Sequence, residues 1–174
     1  MFHLRIPVAT YRLQFNGQFS FEDAQALVPY LSRLVISDLY ASPIFKARQG
    51  STHGYDVVDP SRLNPELGTA ADFDALVRKL KEHGMGLLLD IVPNHMAVRP
   101  ENPWWMDLLE NGLCSPYAAF FDIDWSAFGN RILLPILTRP YEKALENQEL
   151  TLTLEDAGLF VQYNGYRLPL DIKS

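Results

Sequence analysis

The sequence predicts an α/β fold in which parallel strands alternate with helices. Three observations point to it. The first hundred residues read strand, helix, strand, loop, helix, strand, as βα units with a large insertion do. The run "MGLLLDIV" shows little alternation, as expected of a strand covered on both faces. The long insertion falls where a strand ends and a helix begins, on the face where parallel α/β sheets bind ligands. An open doubly wound sheet and a closed (β/α) barrel both fit this order. No G-x-G-x-x-G or P-loop pattern follows any strand, which removes the main support for the nucleotide-binding version.

The elements follow in order. "ATYRLQF", residues 9–15, is rich in β-branched and aromatic residues and is closed by the turn signal "NGQ", so it is the first strand. Ser20 stands three residues before Asp23 and opens a capped helix whose apolar positions are Phe21, Ala24, Leu27, Val28, Leu31 and Leu34. "ISDLYAS" is the second strand, and Ser42 to Gly68 is expected to be long and irregular, a kind of loop that is usually functional. Thr69 and Asp72 start a second capped helix with Phe73, Leu76, Val77 and Leu80 as its stripe, closed by Gly84. "MGLLLDIV" is the third strand, ended by Pro93. Beyond it the βα rhythm stops. A short helix from about Pro103, an aromatic loop "SPYAAFFDIDW", a strand "RILLPIL", a helix in "RPYEKALENQ" and two strands turning near "EDAG" suggest a subdomain inserted after the third strand.

Composition narrows the function. The chain has 174 residues, 48% hydrophobic and 21% charged, which suffices for one sizeable core. Its 15 Lys and Arg against 21 Asp and Glu give a net charge of −6, so neither a nucleic-acid footprint nor an anionic-membrane footprint is present. The segment "MFHLRIPVATYRL" has no sustained apolar run, and nothing in the sequence approaches a membrane span, so a soluble cytoplasmic protein is expected. The single cysteine, Cys114, excludes an internal disulfide and a cysteine zinc cluster, and it has no local histidine partner.

Two short constellations carry chemistry. Asp90 lies within the apolar run "LLLDIV", where an unpaired carboxylate costs several kcal/mol, about 2–7 for a polar group alone, so it needs either a structural partner or a functional one. Asn94 and His95 follow Pro93 at the carboxyl end of the strand and offer groups that bond sugar hydroxyls. In "STHGYDVVDP", Gly54 permits a tight backbone, Tyr55 offers a flat face with a polar tip, and Asp56 and Asp59 supply acceptors. An aromatic face with short polar side chains suits a pyranose ring; a surface turn with a packing tyrosine is the alternative. His53, Asp56, Asp90 and His95 are metal-capable types, but no H-x-x-x-H or C-x-x-C spacing presents a ready ligand set, so no metal and no cofactor is expected. Trp104, Trp105, Tyr117, Phe120, Phe121 and Trp125 could serve either as further sugar platforms or as core.

These residues carry a family resemblance. "DIVPNH" is similar to the first signature, D-x-V-x-N-H, of the α-amylase superfamily, glycoside hydrolase family 13. "ASPIFKARQGSTHGYDVVDPSRLNPELGT", with "ATYRLQF", "ENPWW", "SPYAAFFDIDW" and "LLPIL", resembles the maltooligosyltrehalose synthase family within it, over nearly the whole chain. The resemblance implies the N-terminal portion of a (β/α)8 TIM barrel: three βα units in residues 1–100 and the start of an inserted subdomain in 101–174, truncated at "DIKS". It implies an intramolecular transglucosylation in trehalose biosynthesis that converts the reducing-end α-1,4 linkage of a maltooligosaccharide to α,α-1,1. An α-amylase-type hydrolase or another transglycosylase, and a non-catalytic carbohydrate-binding fragment, are the alternatives.

By motif, His53, Tyr55, Asp56, Asp90, Asn94 and His95 are the implied substrate-binding residues, with Tyr55 stacking on the sugar next to the scissile bond. Asn94 matches a calcium-associated position of many amylases, an ion the trehalose-forming members are not known to need. The family's nucleophile, acid/base and supporting carboxylate follow later strands, so no catalytic residue is assigned here and the chain alone is expected to be inactive. A whole barrel takes about 250 residues. Val35 stands where family members generally have glycine, and it costs a kcal/mol or more, about 1–3, if a left-handed geometry is required.

Overall fold

In the computed structural model, residues 6–156 and 158–170 are described. The chain forms β1 (Thr10–Leu13), α1 (Phe21–Arg33), β2 (Asp38–Ala41), β3 (Phe45–Ala47), β4 (Val57–Leu63), α2 (Ala70–Glu82), β5 (Gly86–Leu89), α3 (Pro103–Asn111), α4 (Tyr141–Glu146), β6 (Thr151–Glu155), β7 (Gly158–Tyr163) and β8 (Tyr166–Pro169). It divides into two units, Met1–Ala97 and Val98–Ser174. The segment "MFHLR" at the start of the chain and "DIKS" at its end lie outside the described residues, as does Ala157 in the turn expected near "EDAG".

In the first unit, β1, β2 and β5 form a parallel sheet with β2 in the centre. Parallel neighbours require long crossovers, and α1 and α2 lie in the two connections. Both helices start with the same device. Ser20 and Thr69 accept from the backbone N–H of Asp23 and Asp72, whose carboxylates accept in return from the backbone N–H of Ser20 and Thr69. Side chains alternate across each strand, and Leu13, Leu39 and Ala41 join Phe21, Ala24, Val28, Leu31, Leu76 and Leu80 in the core. Each such buried Leu, Val or Phe contributes about 1.5–3 kcal/mol relative to exposure. The opposite face presents Arg12, Tyr40 and Leu88, which stand in register across the three strands.

Several local expectations change. The segment Ser42–Gly68 is not wholly irregular: β3 and β4 pair in antiparallel fashion, with register shifts on either side of Lys46. Pro60 sits inside β4, which is tolerated because β4 pairs only with β3 among the described residues. The third strand is shorter than "MGLLLDIV" and is not covered on both faces; Leu88 and Leu89 are exposed, since β5 has β2 as its single partner among the described residues. It ends at Leu89, ahead of Pro93, although the Asp90 N–H still donates to the Ala41 carbonyl at 2.9 Å.

The second unit holds a three-stranded antiparallel meander, β6-β7-β8. "RILLPIL", residues 131–137, forms no strand, and Pro135 explains it by removing a ladder donor. The expected pair of strands is three, because Asn164 and Gly165 both take positive φ and turn β7 into β8. Buried Asn102 caps α3 by accepting from the N–H groups of Trp104 and Trp105, with Pro103 at the first helical position. Trp104 stacks on Tyr117 and Phe120 at 5.3 Å, and Trp105 tilts against Phe121 at 5.5 Å, so these aromatics pack on one another.

Candidate functional site

The site assembles at the carboxyl end of the parallel sheet, on the face away from the helices. Asp90 follows Leu88 by two residues and therefore shares its face with Arg12 and Tyr40, one step nearer the carboxyl end. Its side chain retains 13% exposure, and its Oδ2 is the acceptor on which three donors converge. Tyr55 O–H donates to it at 2.5 Å, Tyr40 O–H at 3.2 Å and Arg12 Nη2 at 3.5 Å. Arg12 Nη2 also donates to the Tyr55 hydroxyl oxygen at 3.3 Å, closing a triangle of arginine, phenol and carboxylate. Arg12 further lies over the Tyr40 ring, 5.6 Å from its centroid.

The loop that carries Tyr55 is tied down at several points. Gly54 takes φ +78°, and a Cβ there would lie 2.9 Å from the Pro43 carbonyl oxygen, so only glycine fits the course of the chain. Ser51 donates to Asp56 and accepts from the Gly54 N–H. His53 Nδ1 accepts from the Tyr55 N–H at 3.0 Å, and its ring stacks on Tyr55 with centroids 6.0 Å apart. Gln14, two residues beyond Arg12 and just past the end of β1, accepts from Arg12 Nη1 at 2.8 Å and donates toward the Thr52 and His53 carbonyls at 3.3 and 3.4 Å.

Electrostatics follow the geometry. The Asp90 carboxyl is held below its ordinary range, first by the Tyr55 hydrogen bond and then by Tyr40 and Arg12, against a desolvation that opposes it. The Tyr55 phenol is raised, chiefly because it donates to Asp90, with desolvation adding to the effect. At Arg12, desolvation lowers the value but is outweighed by the bonds to Tyr55, Asp90 and Tyr40, so the net direction is upward. The result is an ionised carboxylate, a neutral phenol and a cationic guanidinium in contact. Such a set accepts and donates to hydroxyls; no group in it is poised to exchange a proton near neutrality.

Of the six residues singled out from the sequence, the structure joins His53, Tyr55 and Asp56 through one loop and bonds Tyr55 to Asp90. Asn94 and His95 stand apart from this cluster: they are exposed in a turn closed by His95 N–H donating to the Val92 carbonyl at 3.2 Å. Arg12, Tyr40 and Gln14 are members that sequence reasoning missed. Their signal was the strand period, because "TYRLQ" and "DLYAS" put a polar or aromatic side chain at alternate positions opposite the apolar ones. No group of three or more His, Cys, Asp or Glu is arranged to hold a metal ion among the described residues.

A curated relative from Mycobacterium tuberculosis, described as a putative maltooligosyl trehalose synthase, is 49% identical over 137 residues, 75% of this chain and 18% of the relative. The solved structure of maltooligosyltrehalose synthase from Arthrobacter ramosus superposes with a TM-score of 0.84 at 40% identity, covering 95% of this chain and 21% of that one. Alpha-amylase SusG from Bacteroides thetaiotaomicron is 38% identical over 92 residues, 53% of this chain and 13% of the relative. The chain therefore spans about a fifth of the length of the relatives it matches. The family model for the alpha-amylase catalytic domain matches residues 25–140. The parallel sheet and the carboxylate at its carboxyl end are thus part of a TIM-barrel glycoside hydrolase fold, and the chain belongs to the alpha-amylase catalytic-domain family.

Proposed function

We propose that this chain supplies substrate-positioning groups of an intramolecular transglucosylase that converts the reducing-end α-1,4 linkage of a maltooligosaccharide into an α,α-1,1 linkage. The observation that carries the reading is the Tyr55 to Asp90 hydrogen bond, which unites the "HGYD" and "DIVPNH" loops at the carboxyl end of the sheet. Identity of 49% and 40% to proteins described as maltooligosyltrehalose synthases supports the product assignment over simple hydrolysis. In this reading residues 1–100 are the first three βα units of the barrel, and 101–174 belong to the inserted subdomain.

Tyr55 stacks on a glucose ring, while His53, Asp56, Asp90, Asn94 and His95 bond its hydroxyls. Asn94 and His95, exposed on their turn, meet the sugar from the β5 side. The reaction class requires a carboxylate nucleophile and a carboxylic acid/base in retaining geometry, roles that none of these six residues takes. No metal or cofactor enters the scheme.

Incubation with maltopentaose and product analysis tests the reading. The expected result is maltopentaose binding that weakens in Tyr55→Ala and His95→Ala, with trehalosyl product formed only where the family's catalytic carboxylates are supplied. Release of reducing sugar would identify a hydrolase, and absence of any maltooligosaccharide binding would overturn the reading.

A further inference from the structure

We infer that Arg12 and Tyr40 are positioning residues that orient the Asp90 carboxylate, occupying its Oδ2 so that Oδ1 faces the ligand as the acceptor for a sugar hydroxyl. The inference rests on the proposed glucan-binding role of the site and deepens it.

All three hydrogen bonds that Asp90 receives from the described residues reach the same oxygen: Tyr55 at 2.5 Å, Tyr40 at 3.2 Å and Arg12 at 3.5 Å. A carboxylate accepts on both oxygens, so a one-sided arrangement fixes its rotation and leaves the second oxygen available. Strand register supplies the directions. Arg12 and Tyr40 are neighbours across β1 and β2, and Asp90 lies one same-face step beyond Leu88, the Tyr40 neighbour on β5. Both donors therefore reach Asp90 from the amino-terminal side, and Tyr55 meets the same oxygen from its own loop.

Arg12 acts twice. By donating to the Tyr55 hydroxyl at 3.3 Å it polarises the O–H that Tyr55 gives to Asp90, in a chain from guanidinium to phenol to carboxylate. Through Nη1 it holds Gln14, which donates toward the Thr52 and His53 carbonyls and so keeps the stacking loop against β1. Lysine, a single ammonium point, cannot reach Gln14, Tyr55 and Asp90 together. Tyr40 has the narrower task of supplying one hydroxyl.

The test compares Arg12→Gln, Arg12→Lys and Tyr40→Phe with the unaltered protein. Two readouts are taken: the Asp90 carboxyl titration, followed by carbon-13 NMR on aspartate-labelled protein, and maltopentaose affinity by calorimetry. Folding is checked by circular dichroism. Because the three donors lower the Asp90 pKa, removing one is expected to raise its midpoint in each variant, including Arg12→Lys. Affinity is expected to fall about three- to tenfold in Tyr40→Phe, as for one lost hydrogen bond, and further in Arg12→Gln. An Asp90 midpoint unmoved in both Tyr40→Phe and Arg12→Gln overturns the positioning role whatever the affinities do. A shifted midpoint with unchanged maltopentaose affinity overturns the assignment of Oδ1 to substrate. If the unaltered protein binds no maltopentaose, the glucan reading fails and Oδ1 with it, while the titration still decides the roles of Arg12 and Tyr40.

Discussion

Val35 and Gly84 occupy the same position in two successive helix ends and take nearly the same left-handed backbone, φ +63° and +67°. After α1, Val35 N–H donates to the Ser32 carbonyl and Ile36 N–H to Leu31. After α2, Gly84 N–H donates to Lys81 and Met85 N–H to Leu80, the same pair of bonds. Glycine adopts this conformation freely, whereas a β-branched residue meets its own carbonyl. Val35 is 80% exposed, so no packing of its side chain offsets the strain. Val35→Gly is expected to stabilise the protein by about 1 kcal/mol, after the greater flexibility of glycine in the unfolded chain is counted. Gly84→Val is expected to destabilise it by a comparable amount. Paired urea unfolding curves check both; a neutral or harmful Val35→Gly would remove strain as the explanation.

Gly54→Ala should act on the site as well as on stability. Positive φ and a Cβ 2.9 Å from a backbone oxygen cannot both be relieved without moving the loop. A cost of about 1–3 kcal/mol follows from the strained backbone, and Tyr55 shifts with it. The measurable sign is weaker maltooligosaccharide binding together with a lower melting temperature. Full binding at reduced stability would mean that the loop absorbs the change without displacing Tyr55.

Much of this was legible in the residues. Capping boxes at Ser20 and Thr69 are local, three-residue patterns that no distant contact overrides, and both helices begin where those patterns place them. Tyr55 and Asp90 were legible because a polar group interrupts an apolar strand and an aromatic follows a glycine. Arg12 and Tyr40 were marked only as alternate positions of their strands, since their meeting at one carboxylate depends on register between strands distant in the sequence. The exposure of Leu88 and Leu89 was hidden for a related reason: an apolar run reports what a strand is suited to cover, not how many partners it has. "RILLPIL" misled because its composition outweighed one proline.

In the second unit, Asn102 is the side chain on which the start of α3 depends. It is fully buried and accepts from two backbone donors at 3.1 and 3.2 Å. Asn102→Ala leaves those donors without the cap and is expected to cost about 1–2 kcal/mol. Because the two donors belong to Trp104 and Trp105, the loss should be visible as a change in tryptophan emission at low denaturant. Asn102→Asp, which keeps an acceptor at the helix start, should restore most of the emission signature. Equal spectra for all three proteins would show that the cap does not organise the tryptophans.

Acid sensitivity should trace in part to the two capping boxes. Asp23 and Asp72 are each held below the ordinary aspartate value. For Asp23 the backbone N–H of Ser20 is the larger cause, followed by its hydroxyl; for Asp72 the Thr69 hydroxyl leads and its backbone N–H follows. A carboxyl whose folded pKa is depressed contributes stability that is fully present above its unfolded value. That contribution is lost as pH falls through the folded value, because the unfolded chain takes up the proton first. Asp59, Asp90, Asp124 and Glu155 are lowered as well and steepen the same limb. The double variant Asp23→Asn, Asp72→Asn keeps an acceptor for each capped N–H but removes two of these titrations. Its urea midpoint should lie below that of the unaltered protein at neutral pH, and the gap should close as pH falls from the ordinary aspartate value, about 4, through the depressed folded values. Curves that stay parallel throughout that window would show that neither capping carboxylate contributes to acid unfolding.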